Sequence, residues 1–277
     1  MEAIPVVHHL ISGAIDYLIK WNSTASKLHF HTRRHFYYAL LRTLHEGSEA
    51  TTTYSARPPL PLELIIQILR LAECTVLSRL SRCVGRSSVE VHEMPLNAIA
   101  PHLLPTPDLA KSGWPLPLFN GREIGFGTNT EGPCNVVAQG VNPVRKDWFS
   151  TAPLSAHDLA NMQSIQLLTF SRDQGWVSDP NAGSWSWFDI VLLPSEREER
   201  VDTEEHLWLS HTNDPPASSL RRRAGSILGP SHEIWQIARV GDRIGVRACA
   251  QYSGWRNVAK MGILILQEYF IPSFVPR

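Results

Sequence analysis

Trp176, Trp185, Trp187 and Trp255 stand close in the chain to Asp173, Gln174, Asp189, Arg256 and Asn257. Flat indole rings bordered by amide, carboxylate and guanidinium groups suit one kind of chemistry: stacking on a sugar ring or a peptide side chain while hydrogen-bonding its edges. Asp173, Gln174, Trp176, Trp255, Arg256 and Asn257 therefore form the expected ligand-binding set. Trp176 follows Gly175 and Trp255 follows Gly254, which sets both in loops. Trp185 and Trp187 alternate, share one face of a strand, and serve equally well to fill a core. Arg172 and Asp173 are also able to pair with each other and fix their loop.

Catalysis has less to build on. Neither a Gly-x-Ser-x-Gly turn nor a phosphate-cradling loop occurs, and Gly125-Phe126-Gly127 lacks the third glycine of a dinucleotide-binding turn. A hydrolase would have to use scattered His and Asp residues. His29, His31 and His35 have the spacing of some metal-binding histidines, but no carboxylate cluster accompanies them, so neither a metal nor another cofactor is expected. The chain reads as a non-enzyme.

The elements that must position the aromatic loops read as strands, with candidates at 165–171, 185–193, 206–211, 233–238, 243–250 and 260–267. Within the fifth, Ile244, Val246, Ala248 and Ala250 point to one face and Arg243, Arg247 and Cys249 to the other, the alternation of a half-buried strand. Met261 to Leu266 is apolar on both faces and belongs at the centre of a sheet. The loops Arg172–Ser184 and Tyr252–Asn257 each follow a strand of similar character, which places them at the same end of a sandwich. Arg221-Arg222-Arg223-Ala224-Gly225-Ser226, flanked by Pro215-Pro216 and Gly229-Pro230, reads as an exposed loop: plain solvated surface, a basic-directed phosphorylation site at Ser226 or a weak nuclear signal.

Upstream the periodicity is helical. Val6, Val7, Leu10, Ile11, Ala14, Ile15, Leu18 and Ile19 make one stripe, and a second helix spans about Thr32 to His45, so residues 1–46 read as a helical hairpin. Residues 47–59, rich in Ser, Thr and Pro, are a linker, and Pro61 then opens a helix with Leu62, Ile65, Ile66 and Leu69 in line. Residues 60–94 are taken as helical, 95–160 as an irregular region wrapping the sandwich, and 161–277 as the β-sandwich itself. The fold class is α+β, N-terminal helices plus a C-terminal antiparallel β-sandwich of jelly-roll, galactose-binding-like type.

The 26 basic and 26 acidic residues cancel, which argues against nucleic acid or an anionic membrane as a general partner. Cys74, Cys83, Cys134 and Cys249 are widely spaced and fit free thiols in a reducing compartment. Glu2 and the polar breaks at His8, His9, Ser12 and Asp16 fit neither a signal peptide nor a membrane span, so the expected location is cytoplasmic or nuclear.

Leu60-Pro61-Leu62-Glu63-Leu64-Ile65-Ile66-Gln67-Ile68-Leu69-Arg70-Leu71-Ala72-Glu73 resembles the opening of an F-box, most closely the version seen in fungal proteins. The resemblance implies docking onto the adaptor subunit of a cullin-RING ubiquitin ligase, through Leu60, Pro61, Leu64, Ile65 and Ile68. Ser171-Arg172-Asp173-Gln174-Gly175-Trp176, Ser184-Trp185-Ser186-Trp187-Phe188 and Gly254-Trp255-Arg256-Asn257 together resemble a domain of about 100 residues that recurs in fungal proteins, sometimes beside F-box segments. Helices followed by a Trp-containing sandwich are similar in architecture to the sugar-recognising F-box proteins. The expectation is a non-catalytic interaction protein, a ligase substrate receptor whose sandwich binds a protein or glycan. The alternative is an intracellular lectin-like or peptide-binding module with no ligase role.

Overall fold

The structure is a computed structural model describing residues 30–46, 59–85, 125–126, 133–177, 183–195, 205–215 and 219–271. The chain divides into two compact units, one drawn from residues 1–76, 101–104 and 268–277 and the other from 77–100 and 105–267.

In the first unit α1 (Phe30–Glu46) packs on α2 (Leu62–Leu71). Tyr37, Leu41 and Leu44 recur at helical spacing on α1 and meet Ile65, Ile68 and Leu69 of α2 in one apolar cluster. Phe270 completes it, with its ring 5.2 Å from Tyr37 and edge-on to Tyr38 at 5.1 Å. The Val6–Ile19 stripe and nearly all of the expected linker lie outside the described residues. Helix α2 starts at Pro61 as expected, and it stops because Glu73 turns into the left-handed region at φ 50°. Beyond it the helical expectation for 60–94 fails: β1 (Thr75–Leu77) and β2 (Arg82–Gly85) are extended, in keeping with the β-branched Thr75, Val76 and Val84.

The second unit is mostly antiparallel sheet. After β3 (Gly125–Phe126) come β4 (Cys134–Val137), β5 (Val144–Ser150), α3 (Ala156–Asn161), β6 (Met162–Arg172), β7 (Ser186–Leu193), β8 (Leu207–Thr212), β9 (Arg221–Ala224), α4 (Ile234–Ile237), β10 (Arg243–Ala250) and β11 (Arg256–Tyr269). One sheet has the order β3-β2-β11-β6-β9, with β4 also paired to β11; the other runs β5-β10-β7-β8. The two face each other across a single core, to which Ile165, Leu167, Leu264 and Leu266 come from the first sheet and Phe188, Ile190, Ile244 and Val246 from the second. In strand β10 Ile244, Val246, Ala248 and Ala250 face this core as their alternation requires, but the expected half-burial fails because Arg247 and Cys249 on the other face are buried too. Strand β11, apolar on both faces from Met261 to Leu266, lies between β2 and β6 and also pairs with β4. Gly262 lets the sheets approach: a Cβ there would lie 2.7 Å from the Trp148 ring and 2.8 Å from that of Phe149.

Three expectations fail in this unit, each for a local reason. The candidate strand 233–238 is the single helical turn α4, in which Ile234 is fully buried and the Trp235 indole N–H donates to Gly229 O at 2.9 Å. Apolar residues at 234, 235 and 237 fit one face of a turn better than alternation. The expected loop at Arg221–Ala224 is strand β9 on a sheet edge, where arginines face solvent and Arg223 and Arg221 hold Asp214 at 2.8 and 3.5 Å. Finally, the expected wrapping region 95–160 supplies β4 and β5 to the two sheets.

Candidate functional site

Three loops, each crossing from one sheet to the other, meet at one end of the sandwich: β4–β5 (residues 138–143), β6–β7 (described at 173–177 and 183–185) and β10–β11 (251–255). Backbone bonds tie the first to the third, Ala138 N–H donating to Trp255 O at 2.9 Å and Gly254 N–H to Ala138 O at 3.2 Å. Gln251 joins all three, its N–H donating to Trp185 O and its side-chain amide to Val141 O, both at 2.9 Å. The Arg256 N–H donates to Gln174 Oε1 at 3.3 Å. The loops that carry Trp176 and Trp255 thus lie side by side.

Gly254 sets the distance between them. Its φ of 89° is left-handed, and a Cβ built on it would stand 3.3 Å from a carbon of the Trp176 ring. That ring lies over the glycine yet remains 55% exposed. Trp255 is half-buried and packs against the sandwich core. Trp185 meets Tyr252 edge-to-face at 4.7 Å, and Tyr252 holds φ 66°, a region in which few non-glycine residues sit. Trp187 points away from the core filled by Phe188 and Ile190; its indole N–H donates to Asp189 Oδ2 at 3.1 Å. The core-filling reading of Trp187 therefore fails, because alternation gave the inner face to Phe188 and Ile190.

The polar residues expected to edge a ligand separate into two groups. Arg256 is exposed, and the Gln174 amide donates to Trp176 O at 2.6 Å while its oxygen takes the Arg256 N–H, so Gln174 clamps the two loops. Asp173 and Asn257 are fully buried. Asp173 accepts from Gly175 N–H at 2.7 Å and shapes the turn that presents Trp176. Asn257 donates to Trp187 O at 2.8 Å and Cys249 O at 3.2 Å, and accepts from Asn213 Nδ2 at 3.1 Å.

Asn257 is one end of a polar chain lodged between the sheets. Asn213 Nδ2 also donates to Ser186 Oγ at 2.9 Å, Ser171 Oγ donates to Asn213 Oδ1 at 2.7 Å, and Thr169 Oγ1 lies 2.8 Å from both Ser171 Oγ and His211 Nε2. Ser210 Oγ meets the other ring nitrogen of His211 at 3.0 Å. Burial, with the nearby positive charge of Arg223 second, holds the His211 pKa down to about 3, so the ring is neutral and bonded at both nitrogens. A Ser–His pair of this kind invites a catalytic reading, but Ser210, His211, Thr169 and Ser171 are all buried, and their side chains bond one another and Asn213. The network joins β6, β8 and β11 across the core.

On the outer face of the second sheet, burial pushes the Asp189 carboxyl up, opposed by donation from Cys249 Sγ at 3.3 Å and from Trp187. Burial and then the Asp189 charge push the Cys249 thiol far up, which leaves it inert. Arg247 bonds Asp147 Oδ1 at 2.6 Å and also Glu205.

In the first unit the expected adaptor contacts also divide. Ile65 and Ile68 belong to the apolar cluster with α1, because their spacing faces Tyr37 and Leu41, whereas Leu60 and Leu64 are half-buried and Pro61 is exposed. Leu71, outside the expected set, is 65% exposed. His29 and the side chains of His31 and His35 lie outside the described residues.

Sequence reading missed Val141, Val144 and Tyr252 at the loop end, all exposed. The available signal was an apolar residue set among turn formers: Gly140-Val141-Asn142-Pro143 and Tyr252-Ser253-Gly254.

No family model matches the chain, and no curated protein does. Among solved structures, the decameric BFDV capsid protein is 9% identical and aligns over 50% of this chain and 94% of its own at a TM-score of 0.23. The infectious bursal disease virus VP2 subviral particle is 11% identical, over 70% and 61% respectively, at a TM-score of 0.18. Likeness at that level carries no argument about function.

Proposed function

We propose that the chain is a non-catalytic interaction protein whose β-sandwich binds a protein or glycan through the loop end around Trp176. The observation that carries the reading is the Trp176 ring, seated on a glycine that leaves room for it and 55% exposed, in loops clamped by hydrogen bonds. A large rigid ring held out on an ordered frame loses little entropy on binding and is the usual anchor of a contact surface. The strand orders β4-β11-β6-β9 and β5-β10-β7-β8, in which successive strands change sheet at most connections, support reading the unit as a jelly roll. A galactose-binding-like jelly roll would present its ligand loops at one end in this way, an argument by analogy of architecture. Affinity purification of the full chain with identification of what co-purifies, run beside a glycan panel, tests the proposal. Partners or glycans lost on Trp176→Ala support it, and ligands indifferent to that change overturn it.

A second reading rests on α2. Leu71, Leu64 and Pro61 leave apolar surface outside the cluster that Ile65 and Ile68 fill and Leu60 packs against, as a helix docked by an F-box adaptor would. If the chain is a ligase substrate receptor, the double change Pro61→Ala/Leu64→Ala abolishes co-purification of the adaptor while the sandwich stays folded. An intact chain that captures no adaptor ends this reading.

A further inference from the structure

The same loop end carries a statement about the ligand's chemistry, which rests on the proposal that this end is the contact surface. Each of the three tips lifts apolar side chains into solvent: Val141 is 70% exposed, Trp176 55%, and Val144 and Tyr252 slightly above a third. The left-handed backbone of Tyr252, disfavoured for a residue with a side chain, holds its ring at the tip and edge-on to Trp185. Sugars stack on aromatic faces but gain nothing from exposed valines, whereas a protein surface buries both kinds of group.

Charge narrows the class further. Among the described residues of these tips and the strand residues that border them, Arg145, Lys146, Asp147 and Arg256 are exposed, Asp147 accepting from Arg247 Nε at 2.6 Å, while the carboxylate of Asp173 is buried and accepts from Gly175. Cations thus outnumber anions among the ionic groups facing solvent there, and the one exposed carboxylate, Asp147, is engaged by Arg247, although the chain as a whole carries 26 basic and 26 acidic residues. Two of the groups expected to hydrogen-bond a sugar, Asp173 and Asn257, are out of reach, and Gln174 is engaged at both ends of its amide.

We infer that the loop end docks an acidic protein segment, one that places Asp or Glu beside apolar side chains, with Trp176 and Tyr252 as anchors and Arg145 and Arg256 reading the acidic groups. Complementary charge would speed encounter and exclude basic partners, while the aromatic anchors supply most of the affinity.

The test is selection of a displayed random peptide library on the full chain, with Trp176→Ala and Arg145→Glu/Arg256→Glu as counter-targets and thermal melting as a check that each variant is folded. The expected peptides combine Asp or Glu with Leu, Phe or Trp. They bind Trp176→Ala at least about tenfold more weakly, and they weaken several-fold as salt rises from about 0.05 M to about 0.5 M. Peptides that depend on Trp176 but show no acidic bias, or that ignore the charge reversals, overturn the acidic-segment inference and leave the contact surface standing. Glycans or phosphatidylserine vesicles that depend on Trp176, with no such peptide, overturn the protein class but not the surface. Failure of peptide, glycan and vesicle alike to depend on Trp176 overturns both.

Discussion

Asn257 is the residue at which a binding role and a folding role make opposite forecasts. As a ligand contact, its truncation would cost affinity and little else; as the end of the buried network, it should cost stability. Asn257→Ala removes two donated bonds, to Trp187 O and Cys249 O, and one accepted from Asn213 Nδ2. Three bonds at about 1 kcal/mol each come to about 3 kcal/mol, and the Asn213 amide hydrogen left without its acceptor in a dry interior brings the loss to about 3–5 kcal/mol. Urea unfolding of the full chain measures this as a shift in midpoint at unchanged slope. A loss below about 1 kcal/mol would refute the reasoning, since it would mean that water reaches the site or that the network is not closed.

The remaining expectations concern the same core. His211 stays neutral in the folded chain down to about pH 3, while in the unfolded chain it takes a proton near its ordinary 6.5, so the unfolded state binds more protons throughout that window. Stability is therefore fully present above pH 6.5 and falls with pH toward 3, by about 1.4 kcal/mol per unit at most. Urea titrations at several pH values should show His211→Asn with a shallower decline, and an unchanged slope would contradict the assignment. Gly262→Ala drives a methyl to within 2.7 Å of the Trp148 ring, so it should cost about 1–3 kcal/mol, whereas Gly140→Ala, with open space around it, should stay within about 0.5 kcal/mol. Thermal melting of the two variants checks the contrast.

Where side-chain alternation is strict, the fold was legible. Strand β10 shows four small or apolar residues on one face, and the stretch of β11 from Met261 to Leu266 has no polar face to give to water, which is why it sits between neighbours. Alternation is weak where a strand lies on an edge or leaves the sheet half bare. Val144 to Asp147 of β5 are all exposed, and β9 is three arginines and an alanine, so neither carries the apolar signal that marks a buried strand. Helix α4 is one turn, too short for a period to declare itself.

At the loop end, Gly175-Trp176 and Gly254-Trp255 pointed to adjacent tips, because glycine before an aromatic marks a turn with a ring to place. What stayed hidden was which polar residues face inward. Asp173 and Asn257 are loop-type residues by composition, and their burial depends on Gly175, Asn213, Ser186 and Ser171, brought together by pairing between strands far apart in the chain. Local pattern carries no trace of such long-range pairs. It also cannot tell that Trp187 turns outward toward Asp189, since alternation fixes that Trp185 and Trp187 share a face but not which face is the core.

The claim at the centre of the account is that Trp176 is an anchor held ready for a partner and not a part of the folding core. Measuring the affinity of wild-type and Trp176→Ala chains for the same captured ligand, with urea stability determined on the same samples, tests it most directly. The account predicts a loss of about 2 kcal/mol or more in binding with stability changed by less than about 0.5 kcal/mol. Unchanged binding, or a loss of about 3–5 kcal/mol in folding stability, would contradict it.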